Sequence, residues 1–135
     1  MKKVLVSVSK TDNGFSASCD LLPGWVVAFT GNFDEFVAYV KESIDFYVAC
    51  AKEDGEEYPA IFDEDYSFIF RMNTQSLLLY YNKILSRAAI ARLTGVNEKQ
   101  LGHYLCGISK PREKQSEKIR KGIHKFAEEL YNITM

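Results

Sequence analysis

The sequence predicts an α+β chain in which a strand-and-helix half, residues 1–72, precedes an all-helical half, residues 73–135. Three observations predict it. Apolar and polar residues alternate at period 2 through much of the first thirty residues, the pattern of half-buried strands. After Met72 strand patterns cease and apolar residues recur at helical spacing. The charge also reverses there. Residues 1–72 hold 6 Lys+Arg and 13 Asp+Glu, a net −7, and residues 73–135 hold 11 and 5, a net +6. Such polarity points to two tasks, with the basic half meeting a polyanion.

Val4, Val6 and Val8 alternate with Leu5, Ser7 and Ser9, giving a first strand. Thr11-Asp12-Asn13-Gly14 is read as a turn built on residues tolerant of positive φ. Phe15, Ala17 and Cys19 then alternate with Ser16, Ser18 and Asp20, completing a hairpin. Pro23-Gly24 marks a second turn, and Trp25–Thr30 a third strand. Asn32 with Glu35 three residues on has capping-box form and opens a helix. Its apolar face is Phe36, Val37, Val40, Ile44, Tyr47, Val48 and Ala51. The acidic loop Lys52–Pro59 ends it, and Tyr66–Arg71, aromatic and β-branched, is a fourth strand. The first half is thus β-β-β-α-β, its first three strands antiparallel and its helix on one face. Helices are expected at about 74–84, 87–94, 98–106 and 112–131 in the second half.

The segment Ser86–Gly107 carries the functional argument. Ser86 caps one short helix, and Ala91 is small where two helices cross. Gly95 supplies the left-handed residue that turns the chain, and Asn97 caps the next helix. Leu101 and Leu105 anchor that helix and Gly107 ends it. This is the framework of a helix-turn-helix, with Ala91, Gly95, Leu101 and Gly107 at its fixed points. The second helix leaves Glu98, Lys99, Gln100, Gly102 and His103 facing outward or bordering the buried face. Lys99, Gln100 and His103 are expected to reach base edges, because Gln and Lys suit adenine and guanine edges. Arg87, Arg92, Lys110 and Arg112 are expected on phosphates, which position rather than specify. The lysines of the last helix, Lys114, Lys118, Lys121 and Lys125, read as a solvated face opposite Ile119, Ile123, Phe126 and Leu130.

Other chemistry is thinly supported. Cys19, Cys50 and Cys106 lie far apart with no CxxC, so three buried reduced thiols are expected, and no zinc or other cofactor. No run approaches the roughly 18–20 apolar residues of a membrane span. Ser7, Ser9 and Lys10 interrupt the apolar N-terminal run, so a cytoplasmic location is expected.

Gly14-Phe15-Ser16-Ala17-Ser18-Cys19-Asp20-Leu21-Leu22-Pro23-Gly24-Trp25, followed by Thr30-Gly31-Asn32-Phe33-Asp34-Glu35, resembles the HicB antitoxin family. The family pattern is a strand, an Asp-Leu-Pro-Gly turn, a strand, then Gly and a helix that begins on acidic residues. The chain departs from it by one extra Leu in Asp20–Gly24, and by Trp25 where Cys or other residues are common. The resemblance covers about residues 4–59. The second half is similar to the Cro/repressor type of helix-turn-helix through Ala91, Gly95, Leu101 and Gly107.

The resemblance implies a degraded RNase H-like domain at residues 1–72 and a DNA-binding domain at 73–135. It implies an antitoxin that neutralises a HicA-like mRNA-cleaving toxin and represses its own operon on double-stranded operator DNA. An RNA-cutting toxin should be basic, and a net −7 half complements it. A homodimer or tetramer is expected, since such modules read half-sites about 34 Å apart, with Phe68-Ile69-Phe70 as a pairing edge. One alternative is a metal-dependent RNase H-like nuclease drawing on Asp12, Asp20, Asp34, Glu35 and Asp45. Asp12 suits a turn, and Asp34 and Glu35 suit a helix N-terminus, without that role. Another alternative is a transcription regulator with no toxin partner.

Overall fold

The computed structural model describes residues 1–135. The chain is mixed α+β and divides into two compact units, Met1–Met72 and Asn73–Met135.

In the first unit, β1 (Lys2–Lys10), β2 (Gly14–Ser18), β3 (Val26–Thr30) and β4 (Tyr66–Met72) form one sheet in the order β3-β2-β1-β4. β2 pairs antiparallel with β1 and with β3, and β4 pairs parallel with β1. That parallel pairing follows from the connection: α1 (Phe33–Glu53) carries the chain from the β3 edge to the β4 edge. The strand alternation sends Val4, Val6, Val8, Phe15 and Ala17 to one face, where all five are buried. α1 buries Phe36, Val40, Ile44, Val48 and Ala51, and makes its closest approach to the sheet at β2 and β3. Phe33 meets Phe15 and Phe70 edge-on at centroid distances of 5.4 and 5.3 Å, and Phe36 packs tilted on Phe15 at 5.1 Å.

The capping box forms. Glu35 N–H donates to Asn32 Oδ1 at 2.8 Å and Asn32 N–H to Glu35 Oε1 at 3.4 Å. The first turn has a different cause from the expected one. Neither Asn13 nor Gly14 has positive φ. Gly14 opens β2, and a Cβ there would lie 1.8 Å from the Phe29 carbonyl oxygen. The close approach of β3, not turn geometry, requires glycine. A short 3₁₀ turn, Ala60–Asp63, follows the acidic loop, where no element was expected.

The second unit holds α2 (Thr74–Tyr81), α3 (Arg87–Thr94), α4 (Glu98–Leu105) and α5 (Glu113–Tyr131). Each helix is too short, or too polar on its outer side, to stand alone. Leu78, Ile90, Val96, Leu101, Tyr104 and Ile119 form their shared core, edged by Leu85, Ala91, Leu105 and Ile123. α2 is shorter than expected, because Ile84 and Leu85 N–H both donate back to the Tyr81 carbonyl and turn the chain. α5 crosses the end of α3 closely: a Cβ on Gly122 would lie 2.6 Å from the Leu93 carbonyl oxygen. Leu130, at the end of its apolar stripe, is 53% exposed, so the stripe is buried only in its first half.

Candidate nucleic-acid interface

α3 and α4 are eight residues each, joined by Gly95-Val96-Asn97. Ser86 Oγ accepts the Ala89 N–H at 3.1 Å and caps α3. Gly95 has φ +76° and returns its N–H to the Ala91 carbonyl, closing α3 with a left-handed residue. Val96 drops into the core. Asn97 Oδ1 accepts the N–H groups of Lys99 and Gln100 at 2.8 and 3.4 Å, capping α4. The buried Thr94 locks the turn from inside: its hydroxyl donates to the Ile90 carbonyl at 2.7 Å and accepts the Val96 N–H at 3.2 Å. Gln75 Nε2 donates to the Leu105 carbonyl at 3.3 Å, tying α2 to the far end of α4. Gly107 has φ +75°, at the turn that follows α4.

Ala91 and Leu105 edge the core, and Leu101 lies within it. Tyr104 is also buried, at 3% exposure, and the sequence reading missed it. The signal was its position three residues after Leu101 on the same helix face.

Two residues of α4 lie on the buried side of the border expected for them. Gly102 is buried. A Cβ on it would lie 2.3 Å from Arg87 Nη1, so the Arg87 guanidinium occupies the space a side chain would take. Arg87, first residue of α3, is thereby laid across α4. Gln100 is half-buried, and its Nε2 donates to Ser109 Oγ at 3.4 Å. Lys99 is exposed and His103 half-exposed, four residues apart on one stripe. The exposed Cys106 continues that stripe at the end of α4. Of the three thiols expected to be buried, only Cys19 is; Cys50 is intermediate.

Arg92, Lys110 and Arg112 are exposed. None of Arg87, Arg92, Lys99, Lys110 and Arg112 is held in an ion pair. Arg112 occupies the N-cap of α5, where its donor-only guanidinium cannot accept a hydrogen bond, so the first N–H groups of α5 lack a side-chain capping oxygen. The structure thus brings Arg87 onto α4 beside the Lys99–His103 stripe. Lys114, Lys118, Lys121 and Lys125 are exposed along α5.

No group of three or more His, Cys, Asp or Glu side chains is placed to hold a metal ion. No helix is long and apolar enough to cross a membrane. No protein-family model, curated protein or solved structure matches the chain.

Proposed function

We propose that the chain is a DNA-binding antitoxin. In this reading Asn73–Met135 is a helix-turn-helix that reads operator DNA. Met1–Met72 is a degraded RNase H-like domain that binds and neutralises a HicA-like mRNA-cleaving toxin in the cytoplasm. The protein represses its own operon as a homodimer or tetramer and carries out no catalysis of its own.

One observation carries the reading. Two short capped helices meet through a left-handed glycine turn, and the second presents an outer face free of ion pairs. In a helix-turn-helix the N-terminal part of the second helix enters the major groove. Lys99 and His103 then face base edges, with Gln100 at the margin. Arg87, Arg92, Lys110 and Arg112 meet phosphates, and the uncapped N-terminus of α5 beside Arg112 favours an anion.

The test is a gel shift of the full chain on DNA upstream of its own gene, with and without the small protein encoded beside it. A shifted band that the neighbour alters, together with relief by this chain of growth arrest caused by that neighbour, is the expected result. A band without any response to the neighbour would leave a plain transcription regulator.

A further inference from the structure

α1 needs no more apolar surface than its buried stripe, Phe36, Val40, Ile44, Val48 and Ala51, supplies. Yet Phe46 on its other side is 71% exposed. It borders a groove of about 250 Å³ that includes Trp25, Tyr47 and Cys50 and reaches Asp54 and Glu56 where α1 ends. The groove has a fixed wall: Trp25 is 6% exposed, and its indole Nε1–H donates to Ser43 Oγ at 3.0 Å.

The two charged residues that line it, Asp54 and Glu56, are both acidic. α1 and the loop after it carry Glu42, Glu53, Asp54, Glu56 and Glu57, none of them in an ion pair. The two lysines of α1 are already engaged, Lys41 with Asp45 at 2.6 Å and Lys52 with Asp63 at 3.1 Å. Such a rim repels nucleic acid and anionic lipid and draws in cations. An aromatic wall with an exposed ring at its lip is the kind of surface that takes an apolar anchor at a protein interface.

We propose that this groove seats a basic segment of a partner protein, one apolar side chain lodging between Trp25 and Phe46 and flanking lysines or arginines meeting Asp54 and Glu56. The proposal rests on the reading of Met1–Met72 as the partner-binding half and names the surface that half would use.

Trp25 is the sole tryptophan, so its fluorescence reports on the groove in the full chain. The probe is a Trp-free peptide, Gly-Lys-Arg-Lys-Leu-Phe-Lys-Arg-Lys-Gly. A saturable change in Trp25 emission is expected. It should weaken about tenfold when Ala-Ala replaces Leu-Phe in the peptide, or with Phe46→Ala or Glu56→Lys in the chain. Both substituted side chains are exposed, so the fold should survive, as far-ultraviolet dichroism would confirm. An equal response to the Ala-Ala peptide, or an unchanged one in Phe46→Ala, overturns the proposal. So does a concentration-dependent emission change of the chain alone that Phe46→Ala abolishes, because the groove's occupant is then a second copy. If the neighbouring protein co-purifies as fully with Phe46→Ala as with the unaltered chain, the groove is wrong and the toxin reading stands. If it binds neither while the peptide response is normal, the toxin reading falls and the groove stands.

Discussion

Gly102 and Gly122 illustrate how one residue type answers to two constraints. At Gly102 the obstacle to a Cβ is Arg87 Nη1, the far end of a flexible side chain. At Gly122 it is backbone, the Leu93 carbonyl oxygen at 2.6 Å and Thr94 Cα at 2.9 Å. Gly102→Ala should therefore keep or slightly raise stability, by up to about 1 kcal/mol from helix propensity, while pushing Arg87 off α4 and weakening DNA binding. Gly122→Ala should cost about 1–3 kcal/mol through overpacking. Denaturant titration and DNA titration of the two variants separate these effects. Neither role was legible in the sequence, because the partners Arg87 and Leu93 lie 15 and 29 positions away. The same holds for Gly14, whose constraint comes from Phe29 on another strand. Gly95 was legible because its requirement is local: a sharp turn between two helical patterns needs a left-handed residue, and φ is +76°.

At the scale of elements, the caps were readable and the helix ends less so. Asn32, Ser86 and Asn97 all cap as their spacing predicts. α2 stops early because a carbonyl at Tyr81 attracts two donors, which no periodicity shows. For an eight-residue helix such as α4 a cap matters. Asn97→Ala should destabilise the unit by about 1 kcal/mol and loosen Lys99, measured as faster amide exchange at Lys99 and Gln100. In the first unit, the acidic loop is clasped to α1. Tyr58 O–H donates to both Asp63 carboxylate oxygens at 3.0 and 2.9 Å, and Lys52 Nζ stands 3.1 Å from Oδ1. The Tyr58 hydroxyl first, and Lys52 second, hold the Asp63 carboxyl below its ordinary value, and Asp63 in turn raises Lys52. A depressed carboxyl pKa stabilises the fold above its unfolded value of 3.8 and loses that contribution as pH falls through the lower folded value. Acidification below that range should free the loop, and Asp63→Asn should free it at neutral pH. Proteolysis between Glu53 and Ala60, followed with pH, checks both.

Across the whole molecule, the reversal of charge at Met72 coincides with the boundary between compact units. Each unit has its own core, one around Phe36 and Val6, the other around Leu101 and Ile90. Ile90→Ala should destabilise Asn73–Met135 by about 2–5 kcal/mol and leave amide protection in β1 unchanged by hydrogen exchange. The coarse α+β plan was legible because period-2 alternation is confined to the first half, whereas the second half follows the helical period throughout. The β4–β1 pairing was not, since a parallel partner is chosen by the path of α1 across the sheet. Nor was the withdrawal of Gln100 toward Ser109, a contact set by how the loop after α4 folds back. In the proposed reading, these differences leave Lys99 and His103 as the candidate base-reading pair, with Arg87 laid across α4 at Gly102.

The most direct measurement is a titration of the full chain against DNA from upstream of its gene and against a scrambled duplex, over a range of salt, by fluorescence anisotropy. The account predicts tighter binding to the upstream duplex and an affinity that falls steeply with salt. Arg112→Ala should flatten that slope by about 1, and Lys99→Ala should narrow the gap between the two duplexes. Equal affinity for both duplexes, or a preference that Lys99→Ala and His103→Ala together leave intact, would contradict the claim that α4 reads DNA.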